Sequence, residues 1–304
     1  MTHKNLNIVA LGGGTGLPLL LRACVALDQR PQAIVTMADD GGSSGRLRKE
    51  VGIVPPGDVR NCLAALASPE EALLGEMMGY RFSAGEGLEG HALGNLIMAA
   101  LTDMSGGFEQ AVKVLERHLR IQGRVLPSTF ENIVLHGLDR SGRAITGQES
   151  LATSSIAINE VYVTPDEPSA NPEALEAIAK ADLIIVSPGS LFTSIIPNLL
   201  VAGIAPAICT STARVVYFCN VANMRGETTG FGALDHVEAL QQHGLGGRID
   251  AVVLDRNGLD GACEQTATQL KAQGIEPLIF DLVSEENPNR HDVDKLRVAL
   301  EAVM

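Results

Sequence analysis

The chain has 304 residues, with 23 Lys and Arg against 36 Asp and Glu, so its formal net charge is −13. That balance excludes recognition of nucleic acid or an anionic membrane through a general basic field, leaves room for a local cationic pocket, and points to a small ligand. Hydrophobic residues make up 45% but aromatic ones only 3%, with no Trp, so one continuous aliphatic core is expected, of Val/Ile strands under Leu/Ala helices.

In chain order, Lys4 precedes an apolar stretch that resembles the start of a secretion leader. Gly12 to Gly14 would break its helix and no small-residue cleavage site follows before Arg22, so no leader is expected. "LNIVAL" (6 to 11) reads instead as a strand, and "LGGGTGLP" (11 to 18) as the turn from its carboxyl end into a helix. Glycines there let the backbone approach a phosphate, and free amides at a helix start favour an anion. Gly13, Gly14, Thr15 and Gly16 are therefore candidate ligand contacts. Gly12, Gly14 and Leu17 fit the dinucleotide fingerprint only in part, because Leu17 stands where a third small residue belongs.

"AIVTMA" (33 to 38) is the second strand, followed by "DDGGSSGRLR" (39 to 48). Asp39 falls about where a dinucleotide fold places its ribose-binding acid. The acids Asp39 and Asp40 could equally hold Mg²⁺ that bridges to phosphate, while the glycines, Ser43, Ser44, Arg46 and Arg48 offer donors for phosphate oxygens in a loop.

From 58 to 122 the pattern is helical throughout, with apolar residues at three- and four-residue spacing, and we read it as a helical insertion. Within "PPGDVRN", Asp58 is a helix cap, while Arg60 and Asn61 sit on the first turn, Arg60 as a phosphate clamp or a plain surface charge. "GHALGNLIMAAL" (90 to 101) puts His91 and Asn95 four residues apart on one helical face, which marks a pocket-lining face. Residues 124 to 164 read as a β-meander with a hairpin through Asp139 to Gly142, and "NPEALEAIAKA" resumes the α/β rhythm.

The remaining strands are "DLIIVS", "RVVYFC", "IDAVVL" and "EPLIFDL". Their unbroken hydrophobicity marks burial on both faces, hence a mostly parallel sheet in a Rossmann-like three-layer α/β/α fold covering residues 1–304 as one domain. The loop after "DLIIVS" offers Ser187, Gly189, Ser190, Ser194 and Asn198, and the loop after "RVVYFC" begins at Asn220 and carries Asn223, Arg225, Glu227 and Thr228. Both follow strand carboxyl ends, where open α/β sheets bind ligands. Pro197, Gly203 and Pro206 interrupt the apolar run there, so no membrane span is expected. Five widely spaced cysteines without a CxxC pair suit reduced thiols and a cytoplasmic setting. GxSxG, HExxH and GxxxxGK[ST] motifs are all missing, which disfavours a serine hydrolase, a zinc enzyme and a P-loop ATPase.

Together "GGGTG", "DDGGSSGRLR", "PPGDVRN", "GHALGN", "PGSLFTSIIPNLL" and "NMRGET" resemble the gluconeogenesis factor family, which is related to 2-phospho-L-lactate transferase. The resemblance runs from residue 7 to about 256. It implies a Rossmann-like protein that binds a nucleotide or nucleotide sugar, typically UDP-N-acetylglucosamine, and acts on cell shape and peptidoglycan synthesis during gluconeogenic growth. It implies further that Gly13 to Gly16 hold phosphate and that Asp39 and Asp40 sit where the transferases bind metal. Asn198 and the Asn220 loop would complete the pocket. Arg225 and "DRNG" (255 to 258) depart from the family pattern. The expected activity is ligand-dependent regulation with no required cofactor, the alternative being a Mg²⁺-dependent phosphotransferase with His91 assisting electrostatically. An NAD-dependent oxidoreductase accounts only for the partial fingerprint and Asp39. A homodimer and an unidentified protein partner are the expected assemblies.

Overall fold

The computed structural model of the chain describes residues 6–259, 261 and 263–304; Lys4 lies outside them. Ten strands occur in it: β1 (Ile8–Gly12), β2 (Gln32–Val35), β3 (Arg124–Pro127), β4 (Val134–Asp139), β5 (Ala144–Thr146), β6 (Ile158–Thr164), β7 (Leu183–Val186), β8 (Arg214–Phe218), β9 (Ala251–Asp255) and β10 (Glu276–Phe280). Seven of them form one sheet in the order β10-β9-β8-β7-β1-β2-β3, parallel at every pairing. Every residue of β1, β7 and β9 is buried, which is why their sequences show no polar alternation. The other three strands make a small antiparallel sheet, β5-β4-β6, where alternation returns.

The helices of the first half are α1 (Gly16–Val25), α2 (Gly42–Val51), α3 (Gly57–Leu66), α4 (Ala72–Gly79), α5 (Leu93–Ser105) and α6 (Phe108–His118). Those of the second half are α7 (Gln148–Ala152), α8 (Pro172–Ala179), α9 (Ile196–Leu199), α10 (Ile204–Thr210), α11 (Ala233–Leu240), α12 (Cys263–Ala272) and α13 (Val293–Val303). One core layer packs Leu17, Leu21, Leu63, Val112 and Leu300 of the α1, α3, α6 and α13 side against the sheet. The opposite layer uses Ile178, Phe192, Ile208 and Leu240, together with Leu135 and Val163 of the small sheet. The expected three-layer α/β/α architecture is therefore present. No helix among the described residues is long and apolar enough to cross a membrane.

Two segments differ from the sequence expectation. Arg124–Pro127 joins the main sheet beside β2 in parallel register, Gln32 opposite Arg124, so the antiparallel strands begin only at Val134. Gly42–Val51 is a helix rather than a phosphate-wrapping loop, because tertiary burial of Ser43, Ser44 and Leu47 outweighs its glycine-rich start.

Candidate functional site

β2 flanks β1 on one side and β7 on the other, so the strand order reverses at β1 and opens a crevice beyond the carboxyl ends of β1 and β7. The glycines of the first loop serve distinct contacts there. A Cβ on Gly12 would lie 2.1 Å from Ser187 Oγ, one on Gly13 would lie 2.7 Å from Asp58 Oδ2, and one on Gly16 would lie 1.9 Å from the Pro188 carbonyl oxygen. Gly14 takes φ +60°, with Ser194 beside it. The small residue that the fingerprint needs for close packing is thus Gly16, one place before Leu17.

This loop delivers the amino end of α1 to the crevice without a side-chain cap and without an acid in its first turn. The neighbouring helical turn, Leu191–Ile195, is already served. Glu227, fully buried, accepts from the Phe192 amide at 2.6 Å, the Thr193 amide at 3.2 Å and the Thr193 hydroxyl at 3.3 Å. Burial raises its pKa against those bonds. A fixed carboxyl group therefore occupies one helix start, and α1 keeps the other open for a ligand.

In front of α1 lies a cleft of about 620 Å³ whose polar lining includes Thr15, Arg22, Arg60, Asn61, Glu76 and Arg290. A chamber of about 90 Å³ adjoins it, walled by Gly189, Ser190, Asn220, Met224, Asn289 and His291. Gly14, Thr15, Leu19 and Arg290 line both, so Arg290 stands at their junction. Its backbone is fixed by Ser284 N–H donating to its carbonyl at 2.9 Å and by its own amide donating to Asn287 at 3.0 Å. Next to it, His291 Nε2 donates to the Cys219 carbonyl at 3.0 Å, and burial lowers the His291 pKa to about 4. Sequence reading missed both Arg22 and Arg290. Arg22 was signalled by its seven-residue spacing from Thr15 on one helical face, and Arg290 by a polar loop beyond a strand's carboxyl end.

Beneath the glycine loop sits a buried polar network. Asp58 does not cap α3; it accepts from the Gly14 amide, and its pKa is pushed up to about 7, first by burial and then by the charge of Asp39. Burial also raises Asp39, against a stabilising Ser44 hydroxyl and the Gly41 amide, the latter at 3.1 Å. Arg60 lies beside both carboxylates and donates to the Met78 carbonyl at 2.9 Å; its Nε is buried without a partner. Burial, then Arg81, lowers the Arg60 pKa.

His91 and Asn95 face this network and do not line the cleft. The Ser43 hydroxyl oxygen accepts from the Ala92 amide at 3.2 Å and from Asn95 Nδ2 at 3.1 Å, leaving its proton for His91 Nδ1 at 3.0 Å. That assignment makes His91 neutral with its proton on Nε2, in keeping with a pKa lowered chiefly by burial. Asn95 Nδ2 also reaches Ser44 Oγ at 3.4 Å, so the chain of bonds ends on Asp39.

Five other sequence candidates act as braces. Asp40 accepts from the Gln148 amide at 3.0 Å and the Glu149 amide at 2.8 Å, which engages both its oxygens at the start of α7. Arg46 donates to the Glu89 carbonyl at 2.8 Å, and Arg48 donates to the Ile133 carbonyl. Asn198 is fully buried and donates to the Gly12 carbonyl at 3.1 Å and the Ser194 carbonyl at 2.9 Å, so it shapes the glycine loop from behind. Asn220 clamps Gly189 at two points, accepting from its amide and donating to its carbonyl, each at 2.8 Å.

The model for the family "2-phospho-L-lactate transferase CofD" matches residues 8–300. The chain is 45% identical to the gluconeogenesis factor of Halalkalibacterium halodurans, over 91% of this chain and 85% of that one. It is 41% identical to the gluconeogenesis factor of Bacillus subtilis, over 95% of each. A crystal structure of a Bacillus halodurans protein superposes with a TM-score of 0.90 at 41% identity, covering 98% of this chain and all of that one.

Proposed function

The chain belongs to the gluconeogenesis factor family, and from that premise we propose that it is a regulatory protein that binds a nucleotide sugar of the UDP-N-acetylglucosamine kind. Its bound state would serve gluconeogenic growth, cell shape and cell-wall synthesis. The observation that carries this reading is the open amino end of α1 facing Arg22, Arg60 and Arg290 in one cleft. Amides and guanidiniums converging on one volume suit a diphosphate, and the chambers on either side of Arg290 offer separate room for base and sugar. Binding would regulate by favouring one conformation that a partner reads.

The test is thermal unfolding with UDP-N-acetylglucosamine, UDP-glucose, NAD and GDP, each with and without Mg²⁺. A UDP-sugar at about one hundred times its dissociation constant adds roughly 2.7 kcal/mol, which raises the midpoint of a chain this size by roughly 5 °C. Arg290→Ala, at an exposed side chain, is expected to weaken that binding about 10- to 100-fold by loss of charged hydrogen bonds while leaving the unliganded midpoint unchanged. Equal affinity in the two proteins would remove Arg290 from the site. A shift with NAD or GDP alone would reject a UDP-sugar as the ligand.

A transferase reading has one specific observation in its favour: Asp39 and Asp58 are half-buried carboxylates close enough to affect one another's charge, and Asp58 lies against Gly13 of the glycine loop. Among the described residues no group of three or more His, Cys, Asp or Glu could hold a metal ion. A pair of hard oxygen ligands nevertheless fits Mg²⁺, which commonly takes one or two carboxylates plus substrate oxygens. Asp39 with Asp58 fits better than Asp39 with Asp40, whose oxygens already accept amides. Mg²⁺ bound there would neutralise a diphosphate leaving group, while Arg60 and the α1 amides hold its oxygens. UMP, UDP or phosphate released from UDP-N-acetylglucosamine in proportion to protein would favour this reading; an intact ligand after hours with Mg²⁺ would favour the regulatory one.

A further inference from the structure

His291, in the wall of the smaller chamber, is held from one edge of its ring. Its backbone forms an antiparallel bridge with Val283, and the next residue, Asp292, caps α13 by accepting from the Asp294 amide at 2.9 Å and the Lys295 amide at 3.0 Å. The buried ring donates from Nε2 to the Cys219 carbonyl, just past the end of β8. A carbonyl can only accept, so that proton is fixed, and Nδ1 of the neutral imidazole is left as an acceptor. Burial, opposed by the Cys219 bond and the charge of Asp255, lowers the pKa to about 4, so the ring stays neutral at neutral pH. Among the described residues nothing bonds to Nδ1, and it is not one of the polar atoms sealed from solvent. The chamber therefore holds a rigid acceptor whose lone pair has no partner in the chain.

The other walls narrow what belongs opposite that acceptor. Apart from Thr15 and Arg290, which also line the cleft, the polar side chains of the chamber are His291, Asn220, Asn289 and Ser190, and the Ser190 hydroxyl is engaged by Glu227. Leu19, Pro188, Val221 and Met224 are apolar. A sugar carries hydroxyls around its whole rim and needs partners on every side, whereas a base gathers its polar atoms on one edge and offers apolar faces. The chamber has the second pattern. Met224, exposed at its rim, has the unbranched, polarizable side chain that lies well against an aromatic ring. At about 90 Å³ beside a cleft of about 620 Å³, the chamber suits a single ring. The cleft, with Asn61 and Glu76, is left to the sugar.

Resting on the nucleotide-sugar reading above, we propose that His291 selects the base of the ligand, its Nδ1 accepting the N3–H of a uracil ring seated in the small chamber. Uracil carries a proton on N3 between two carbonyls. Cytosine carries a lone pair there, which would face the lone pair of Nδ1 with no proton between them. Guanine has a comparable ring N–H, but it brings a second fused ring that the small chamber does not take. Asn220 keeps one Nδ2 hydrogen beyond its bond to the Gly189 carbonyl, a donor for one of the uracil carbonyls. A site whose fixed acceptor goes unpaired with the wrong base discriminates strongly, because the buried group then loses its solvent without gaining a partner.

Calorimetric titration of the full chain with UDP-N-acetylglucosamine, its N3-methyl derivative and its cytidine counterpart varies the base edge alone, since all three share one sugar and one diphosphate. The uridine compound should bind about 10- to 100-fold more tightly than either of the others. In His291→Asn the amide can turn either its oxygen or its NH2 group to the ligand, so the ratio of uridine to cytidine affinity should fall towards one. That ratio is read within a single protein, so a general loss of stability from the freed Cys219 carbonyl does not move it. A wild type that binds the cytidine or the N3-methyl compound as tightly as the uridine one overturns the role of His291 and leaves the nucleotide-sugar reading standing, as does a His291→Asn chain that keeps the wild-type ratio. Absence of binding by all three compounds overturns both.

Discussion

A Gly16→Ala chain is expected to lose both ligand binding and a substantial part of its stability. The added Cβ would stand 1.9 Å from the Pro188 carbonyl oxygen and 2.5 Å from its carbonyl carbon. Both are backbone atoms, so no side chain can swing aside, and the β1 and β7 loops must part by more than 1 Å to reach van der Waals contact. Conformation alone predicts the reverse, because alanine inside a helix is favoured over glycine by about 1 kcal/mol. Overpacking wins here: we expect a net loss of about 3 kcal/mol, a fall in midpoint of roughly 6 °C. The displaced loop also carries the open amino end of α1, so UDP-sugar affinity should fall with it. Gly247→Ala, where an added Cβ meets nothing within 4 Å, controls for the substitution itself. A Gly16→Ala midpoint and dissociation constant equal to the wild-type values would show that the close approach plays no part in the site.

The strands were legible because a chain segment buried on both faces cannot afford polar residues, and β1, β7 and β9 show that plainly. The glycine loop was legible for the same kind of reason: only glycine permits the approach that Gly16 makes to Pro188. What escaped was set by distant partners. Asp58 has the local marks of a cap, but its bond is to Gly14 and its charge answers to Asp39, neither of which its neighbours encode. Asn198, a lone amide in an apolar helix, announces a buried hydrogen bond without naming Gly12 as the acceptor. Gly42–Val51 lacks the signals of a helix start, and its helix depends on Ser43 and Ser44 finding His91, Asn95 and Asp39. Arg290 lies beyond the last quoted motif, and only the fold returns it to α1.

Asp58→Asn is expected to make the protein more stable at pH 8 and to flatten its stability between pH 4 and pH 8. In the native state the Asp58 pKa rises from 3.8 to about 7. Between those values the folded chain holds a proton that the unfolded chain has released, so stability is fully present below the lower value and is lost as pH rises through the upper one. Asparagine keeps an oxygen for the Gly14 amide but carries no charge to bury, and the penalty it removes above pH 7 is on the order of a few kcal/mol. Asp39 is raised as well, chiefly by burial, so a smaller slope should persist. Midpoints measured from pH 4 to pH 8 in both proteins decide the matter, and parallel curves would mean that Asp58 is ionised throughout. The same pair of proteins separates the two functional readings. If Asp39 and Asp58 hold Mg²⁺, the ion should raise the wild-type midpoint at pH 8, above the Asp58 pKa of about 7, and leave Asp58→Asn unmoved. If UDP-sugar binding is independent of Mg²⁺, removing one negative charge beside the glycine loop should strengthen that binding, because an anion held by that loop would then have one carboxylate fewer behind it.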